Sequence, residues 1–600
     1  MPKSALPALA WTTVTLTIVA CHSGDATSPT DSGVGADAEA GVAPVAVMMQ
    51  FTRAGTFYDA PFPSDDLRHS DGSIDLSRFP NPDAIDMMNQ AKSMASTATG
   101  GFATSAGVFF QLTGSIDGVT LPTVAQSITP TSPAFLIAID PAAPDYQKRY
   151  PVMFQFDDDG GPFGAPNLLS MVPLQGVPLR PGGRYAAVIT TALVPAISAE
   201  MQSLASGAAP MGMSADVLAE YTGAISEIGK AGTLASALSG VSVFTTGKPA
   251  DQLGVMKAAI HALPVPTPDK AWAANEIFDD YCVYSTTIKL PDFQHGNSPY
   301  SNPSDGGGWK LDGSGQPVLG SYEESTLTIT IPRTTIPAGG FPLVVFIQTG
   351  AGGLRALVDR GAQATNGGPP IVQGSGPARD FAKVGFAGLQ LQLPLEGLRN
   401  PSNINEDFAI FNVSNAIALR DNVRESALEL TITPDIAKLL SLDVSACPGA
   451  KSASGATTAS FDTTKLALFG HSMGAWIAPL TLAWEPRFGA AILSGAGGSW
   501  IENVMDKLQP VDVRPLVELL LGYRTYERTL TANDAALSLF QWAAEPSDPM
   551  VYDHRVVRDV PSGASPHNVL MVQGIVDHYI LPSIADATSL PLGLDLAGPA

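Results

Sequence analysis

Leu466-Ala-Leu-Phe-Gly-His-Ser-Met-Gly-Ala-Trp-Ile-Ala-Pro479 joins an apolar run to a run of small residues through the pattern Gly-x-Ser-x-Gly, with Ser472 at its centre. In a chain with 58 glycines the bare pattern is weak, so its flanks carry the reading. Lys465 to Phe469 has the composition of a short buried strand, and Ala475 to Trp484 that of a helix packed on a sheet. A strand, a sharp turn and a helix expose the hydroxyl of a serine held at the turn, and Gly470 and Gly474 remove side chains that would collide there. Ser472 is therefore a candidate nucleophile. The bland alternative is a Gly-rich strand-to-helix turn with a bystander serine.

Working outward, strand and helix signals alternate from about residue 321. Thr326-Leu-Thr-Ile-Thr-Ile331 alternates as a strand, Leu343-Val-Val-Phe-Ile347 is a buried one, and Val384 to Leu393 reads as the next, followed by a long helix from about Val413 to Leu430. Strands Phe488–Ser494 and Asn568–Gln573 follow the serine. Repeated β/α units predict a largely parallel sheet with helices on both faces. This order of elements over about residues 320–600 resembles the α/β-hydrolase superfamily, in its bacterial lipase and esterase branch.

The resemblance implies further site residues. In that fold one oxyanion donor is the backbone N–H after the nucleophile, here Met473, and a second comes from a Gly-rich loop after an earlier strand. The matching loop is Gln348-Thr-Gly-Ala-Gly-Gly353, which makes the Ala351 N–H the second donor and puts Thr349 where relatives carry His. The family's acid matches Asp577 in Gly574-Ile-Val-Asp-His-Tyr-Ile-Leu-Pro582, where it orients a histidine. The base is missing: beyond Asp577 only His578 remains, and Leu590 to Leu596 ends without an evident eighth strand or terminal helix. Three explanations stay open: a chain incomplete at its carboxyl terminus, a base at an unusual place such as His554, His567 or His578, or a scaffold that has lost catalysis. His471 reads as packing beside the turn.

Residues 499–559 form an insertion with apolar helical stretches, read either as a cap over the site or as a helical excursion completing the core. Residues 45–263 read as a β-rich, sandwich-like domain with some helices: Gly107–Leu112, Ala134–Ile139 and Pro151–Phe156 are strand-like, and helices are expected over Ser214–Gly229 and Ala250–Ala262. Residues 264–320 read as linker and loop, and the polar part from His295 has the option of bordering the active-site mouth. Asp157-Asp-Asp-Gly160 is a solvated turn or, less simply, a cation site.

The amino terminus, with Lys3, an apolar Ala5–Ala20 and Ile18-Val-Ala-Cys21, resembles a bacterial lipoprotein signal; residues 1–20 then form the signal peptide and Cys21 the lipidated residue. Residues 21–44 follow as a flexible tether, placing the protein in the cell envelope, lipid-anchored at the outer membrane or cell surface. In such a compartment Cys282 and Cys447 form either one disulfide or two buried thiols. The net charge of −23 repels polyanions and argues against nucleic acid as a partner. No metal or organic cofactor is implied. The sum is a serine hydrolase acting on small-molecule or lipid carboxylic esters through an acyl-enzyme; the alternatives are a catalytically inactive surface lipoprotein that binds through a hydrolase scaffold, and a peptidase of the same fold.

Overall fold

Most strands ahead of residue 263 carry buried side chains along their length and are covered on both faces, whereas Val152–Asp157 is only half-buried. These strands are β1 (Val108–Gln111), β2 (Ala134–Ala138), β3 (Arg149–Tyr150), β4 (Val152–Asp157), β5 (Leu168–Pro173), β6 (Arg184–Thr190) and β7 (Leu238–Thr245). They form two antiparallel sheets, ordered β1-β5-β4 and β3-β2-β6-β7, that share one core. Helix Ala215–Lys230 starts where Ser214 accepts a hydrogen bond from the Val217 N–H, and its Ile225 and Ile228 enter that core. The computed structural model describes residues 44–97, 100–350, 352–365, 368–405 and 409–598. The signal peptide, the tether through residue 43 and Cys21 lie outside these residues.

The larger sheet has eight strands: β8 (Ala273–Ile277), β9 (Tyr281–Asp292), β12 (Ser321–Pro332), β13 (Phe341–Ile347), β14 (Ala387–Leu391), β17 (Phe461–His471), β18 (Phe488–Ser494) and β19 (Asn568–Val572). Their order is β19-β18-β17-β13-β14-β12-β9-β8, parallel from β19 to β14 and antiparallel beyond. Two short pairs lie outside it, β10 (Gln294–Gly296) with β11 (Gly306–Trp309) and β15 (Leu442–Asp443) with β16 (Thr458–Ala459). Along β13 the pleat sends Leu343, Val345 and Ile347 into one core and Val344 and Phe346 into another. Helices Ala416–Leu430 and Met473–Leu482 cover the first face, while Ala356–Asp359 and Pro377–Lys383 cover the second. The fold class is thus mixed α/β, a mostly parallel sheet preceded by a β-rich part.

Several expectations need correction. The segment 264–320 is no plain linker: β9 pairs with β12 in an unbroken register from Tyr281↔Pro332 to Asp292↔Ser321. Its Tyr281-Cys-Val-Tyr-Ser-Thr-Thr-Ile run is aromatic and β-branched, which suits a long antiparallel strand. The polar stretch after His295 makes the β10–β11 hairpin against helix Ala416–Leu430, where the Trp309 indole donates to Glu425, and it does not line the cavity at Ser472. A terminal helix does exist, Pro582–Leu592, with Pro at its first turn and Ile584, Ala585 and Ala587 buried. Asp157 and Asp159 both pair with Arg528, and among the described residues no cluster of three or more His, Cys, Asp or Glu is arranged to hold a metal ion.

Cys282 of β9 and Cys447 are joined as a disulfide, their Cα atoms 5.8 Å apart. Residues Pro44–Ala600 group as one unit. Among the described residues no helix is long and apolar enough to cross a membrane.

Candidate active site

β17 ends at His471 and helix Met473–Leu482 begins two residues later, so Ser472 alone makes the turn. It does so at φ 53° and ψ −113°, a conformation that L-residues rarely adopt. The Ser472 N–H donates to the Ser494 carbonyl of β18 at 2.8 Å, and its own carbonyl accepts from Ala475 and Trp476 at 2.8 and 3.0 Å. The flanking glycines are steric necessities: a Cβ on Gly470 would lie 2.3 Å from the Gly474 oxygen, and one on Gly474 would lie 2.3 Å from the Ile347 oxygen. The start of helix Met473–Leu482 therefore dictates the small residue at 470, and the packing of β13 dictates the one at 474.

Because β13, β17, β18 and β19 run parallel, their carboxyl ends share one edge of the sheet. There Thr349 and Gly350 (after β13), His471 to Met473 (after β17) and Asp577 (after β19) line a single cavity of about 490 Å³. Met473 opens the helix, so its N–H has no acceptor within the helix and adds to the positive end of the helix dipole. Asp577 accepts the N–H groups of Tyr579 and Ile580 at 2.7 and 3.1 Å, both on Oδ1, which leaves Oδ2 outside these two bonds. Ala351 lies outside the described residues, although its neighbours Thr349 and Gly350 are on the cavity wall.

The histidines separate clearly. His567 sits at the opposite edge of the sheet, its ring nitrogens against the carbonyls of Phe488 and Leu482, where β18 begins. His554 opens the short helix His554–Val557 and is not on the cavity wall, and His578 is exposed. His471 is the imidazole that does line the cavity, with Nδ1 3.2 Å from the Ser494 hydroxyl. Burial, then the neighbouring Arg360, holds it below the ordinary imidazole range, while the Ser494 main chain and Asp577 pull the other way. The ring is neutral near pH 7.

Most of the remaining wall is apolar, with Arg360, Asn503, Lys507 and Tyr579 as its polar members. The insertion supplies Trp500 and Val504 from helix Trp500–Asp506, and Leu516 and Val517 from helix Val513–Leu520, so these helices roof Ser472. Asp548 anchors the roof by accepting the Ser499 N–H at 2.9 Å, and the Ser499 hydroxyl donates to Gln175 at 2.8 Å. Trp476, Trp500, Phe411 and Phe540 form a connected aromatic wall, with Trp476 and Trp500 rings 4.9 Å apart. Sequence reading missed this wall and the two cations, Arg360 and Lys507, because single aromatics and basic residues scattered between positions 360 and 540 carry no spacing signal.

No protein-family model matches the chain, and the comparison with curated proteins gave no match. Among solved structures it is similar to an acetyl xylan esterase from Paenibacillus sp. R4, at 13% identity over 58% of this chain and 85% of that one, with a TM-score of 0.33. It is also similar to acetyl xylan esterase 1 from Thermoanaerobacterium sp. JW/SL YS485, at 12% identity over 57% and 84% of the two chains, TM-score 0.33. A third likeness is to Pyrococcus horikoshii acylaminoacyl peptidase, at 12% identity over 54% of this chain and 43% of that one, TM-score 0.28. Identity and overlap are too low to transfer activity or substrate, so the site is read from its own residues.

Proposed function

We propose that the protein is a serine hydrolase that cleaves carboxylic esters through an acyl-enzyme on Ser472. The observation that carries this reading is the conformation of Ser472 itself: a non-glycine residue held at φ 53° on a strand-to-helix turn, facing a roofed apolar cavity. Strain of this kind persists only where the surrounding structure enforces it, and here two glycines and β13 do so.

In the proposed reaction the Ser472 hydroxyl oxygen attacks the ester carbonyl. The Met473 N–H, with Ala351 as the second donor, stabilises the oxyanion, and the alcohol leaves with a proton. Water then attacks the acyl-enzyme and releases the acid. The proton of Ser472 must pass through a base to the leaving alcohol. Asp577, with Oδ2 outside its two main-chain bonds, is suited to orient a histidine in that role, and no histidine among the described residues is assigned to it. The lipobox-like Ile18-Val-Ala-Cys21 supports attachment to a bacterial envelope membrane, where lipid esters are at hand.

One observation favours the second reading, a non-catalytic binding protein on the same scaffold: among the described residues His471 is the single histidine on the cavity wall, and its Nδ1 is turned to Ser494. A fluorophosphonate probe separates the two. Labelling of the wild-type chain that disappears in Ser472→Ala is the expected outcome; a folded wild-type chain that takes no label sinks the enzyme reading.

A further inference from the structure

The cavity is larger and more apolar than an acetyl group needs, and part of its wall comes from the amino-terminal core. Met87 projects from helix Asp86–Thr97, and Ala536 and Leu537 from helix Ala535–Ala544, both packed in the core that β1 to β7 share. Leu419, from helix Ala416–Leu430, completes this side. Ala536, Leu537 and Leu419 are each 1% exposed, which makes this part of the wall dry. The two indole N–H groups of the aromatic wall are already engaged, Trp476 with the Ser547 carbonyl at 2.8 Å and Trp500 with the Ala544 carbonyl at 3.2 Å. Their rings therefore offer carbon surface to an occupant.

Resting on the ester-hydrolase reading, we infer that this cavity is an acyl-chain chamber and that the seam between the amino-terminal lobe and the insertion, with Met87 on one side and Ala536 and Leu537 on the other, sets how long a chain it takes. The assignment to the acyl side follows from the order of events. After attack, the Ser472 O–acyl bond has formed and the ester C–O bond has broken, so the alcohol carries its proton out to solvent while the acyl group stays tethered to Ser472 until water displaces it. A wall of buried side chains suits the half that remains. A volume of about 490 Å³ is within the range of small-ligand sites, roughly 300–1,000 Å³, and accommodates an extended or folded alkyl chain.

The test compares 4-nitrophenyl acetate, butyrate, octanoate, dodecanoate and palmitate on the full chain. Each methylene accommodated in the chamber raises kcat/KM by about fourfold, equivalent to ~0.8 kcal/mol, until the chamber is full. Met87→Trp fills the chamber and shifts the best substrate to a shorter chain, whereas Leu537→Ala shifts it to a longer one; the readout is the ratio of long-chain to acetate kcat/KM. A profile that is flat from acetate to palmitate, or variants that move every ester by the same factor, overturns the inference and leaves the hydrolase reading standing. If no ester is cleaved, calorimetric binding of dodecanoic acid decides separately: affinity lost in Met87→Trp upholds the chamber while the hydrolase reading falls, and no binding at all removes the chamber too.

Discussion

Ser472 is held in place by what its neighbours lack. With φ at 53°, a β-carbon at this position costs about 1–3 kcal/mol, which glycine would not incur. Ser472→Gly is therefore expected to raise unfolding stability by roughly 1 kcal/mol in a denaturant titration while abolishing the proposed ester hydrolysis. Loss of both stability and activity would show that the serine side chain, not the turn, organises the site. This level of detail was legible in Gly470-His-Ser-Met-Gly474 because the sterics are local to the pentapeptide and the strand beside it. Asp577 was legible for a similar reason, standing just beyond an apolar strand. The histidines were not, since positions 554 and 567 are close in sequence to Asp577 yet lie away from the cavity, and only tertiary placement decides that.

Among the elements, helix Ala416–Leu430 is the least ordinary, since it buries polar and charged side chains together with apolar ones on every side. Arg399 grips Glu429 with two hydrogen bonds of 2.7 Å and reaches Glu323 at 2.5 Å, all from a nearly sealed position. Burial pushes the Glu429 carboxyl up, and Arg399 is the main force pulling it back. Arg399→Met should destabilise the protein by about 3–5 kcal/mol above neutral pH, and by less in mild acid, where Glu429 can take a proton and shed its unpaired charge. Urea unfolding at two pH values measures both parts; an equal loss at each would mean that Glu429 does not titrate in response. The position of this helix was legible from Val413 to Leu430, but its polar side chains gave no hint of burial, because partners such as Gln252, Phe293, Trp309 and Arg399 come from distant segments. β9 carries a strand-like aromatic and β-branched composition of its own, but its place in the large sheet comes from pairing with β12.

Across the whole molecule, the two main cores are stitched together by buried acids. Glu545 accepts the Thr104 N–H at 2.9 Å, the Thr104 hydroxyl at 2.6 Å and the Ser105 hydroxyl at 2.7 Å. Burial nevertheless pushes its carboxyl up to about 7, and Asp548 and Asp553 are raised in the same sense. A raised carboxyl keeps its proton in the folded state after the unfolded chain has released it. Its contribution is thus most favourable below about 4.5 and declines as pH rises to about 7, by about 3 kcal/mol in all. Urea midpoints should fall across that interval, and Glu545→Gln should flatten the fall; an unchanged slope in the variant would assign it to the other acids. The domain plan was legible only in part: the insertion after Ser499 reads either as a cap or as an excursion completing the core, and while helices Trp500–Asp506 and Val513–Leu520 line the cavity, helix Ala535–Ala544 also enters the amino-terminal core. The Cys282–Cys447 bridge has a consequence of another kind. It ties β9 to the segment after β15 and so encloses β12, β13, β14 and helix Ala416–Leu430 in one covalent ring that excludes Ser472. A protease that cuts the exposed turn around Asn403 would open the ring without releasing a fragment, and the two halves would part only when a reductant reached the buried sulfurs.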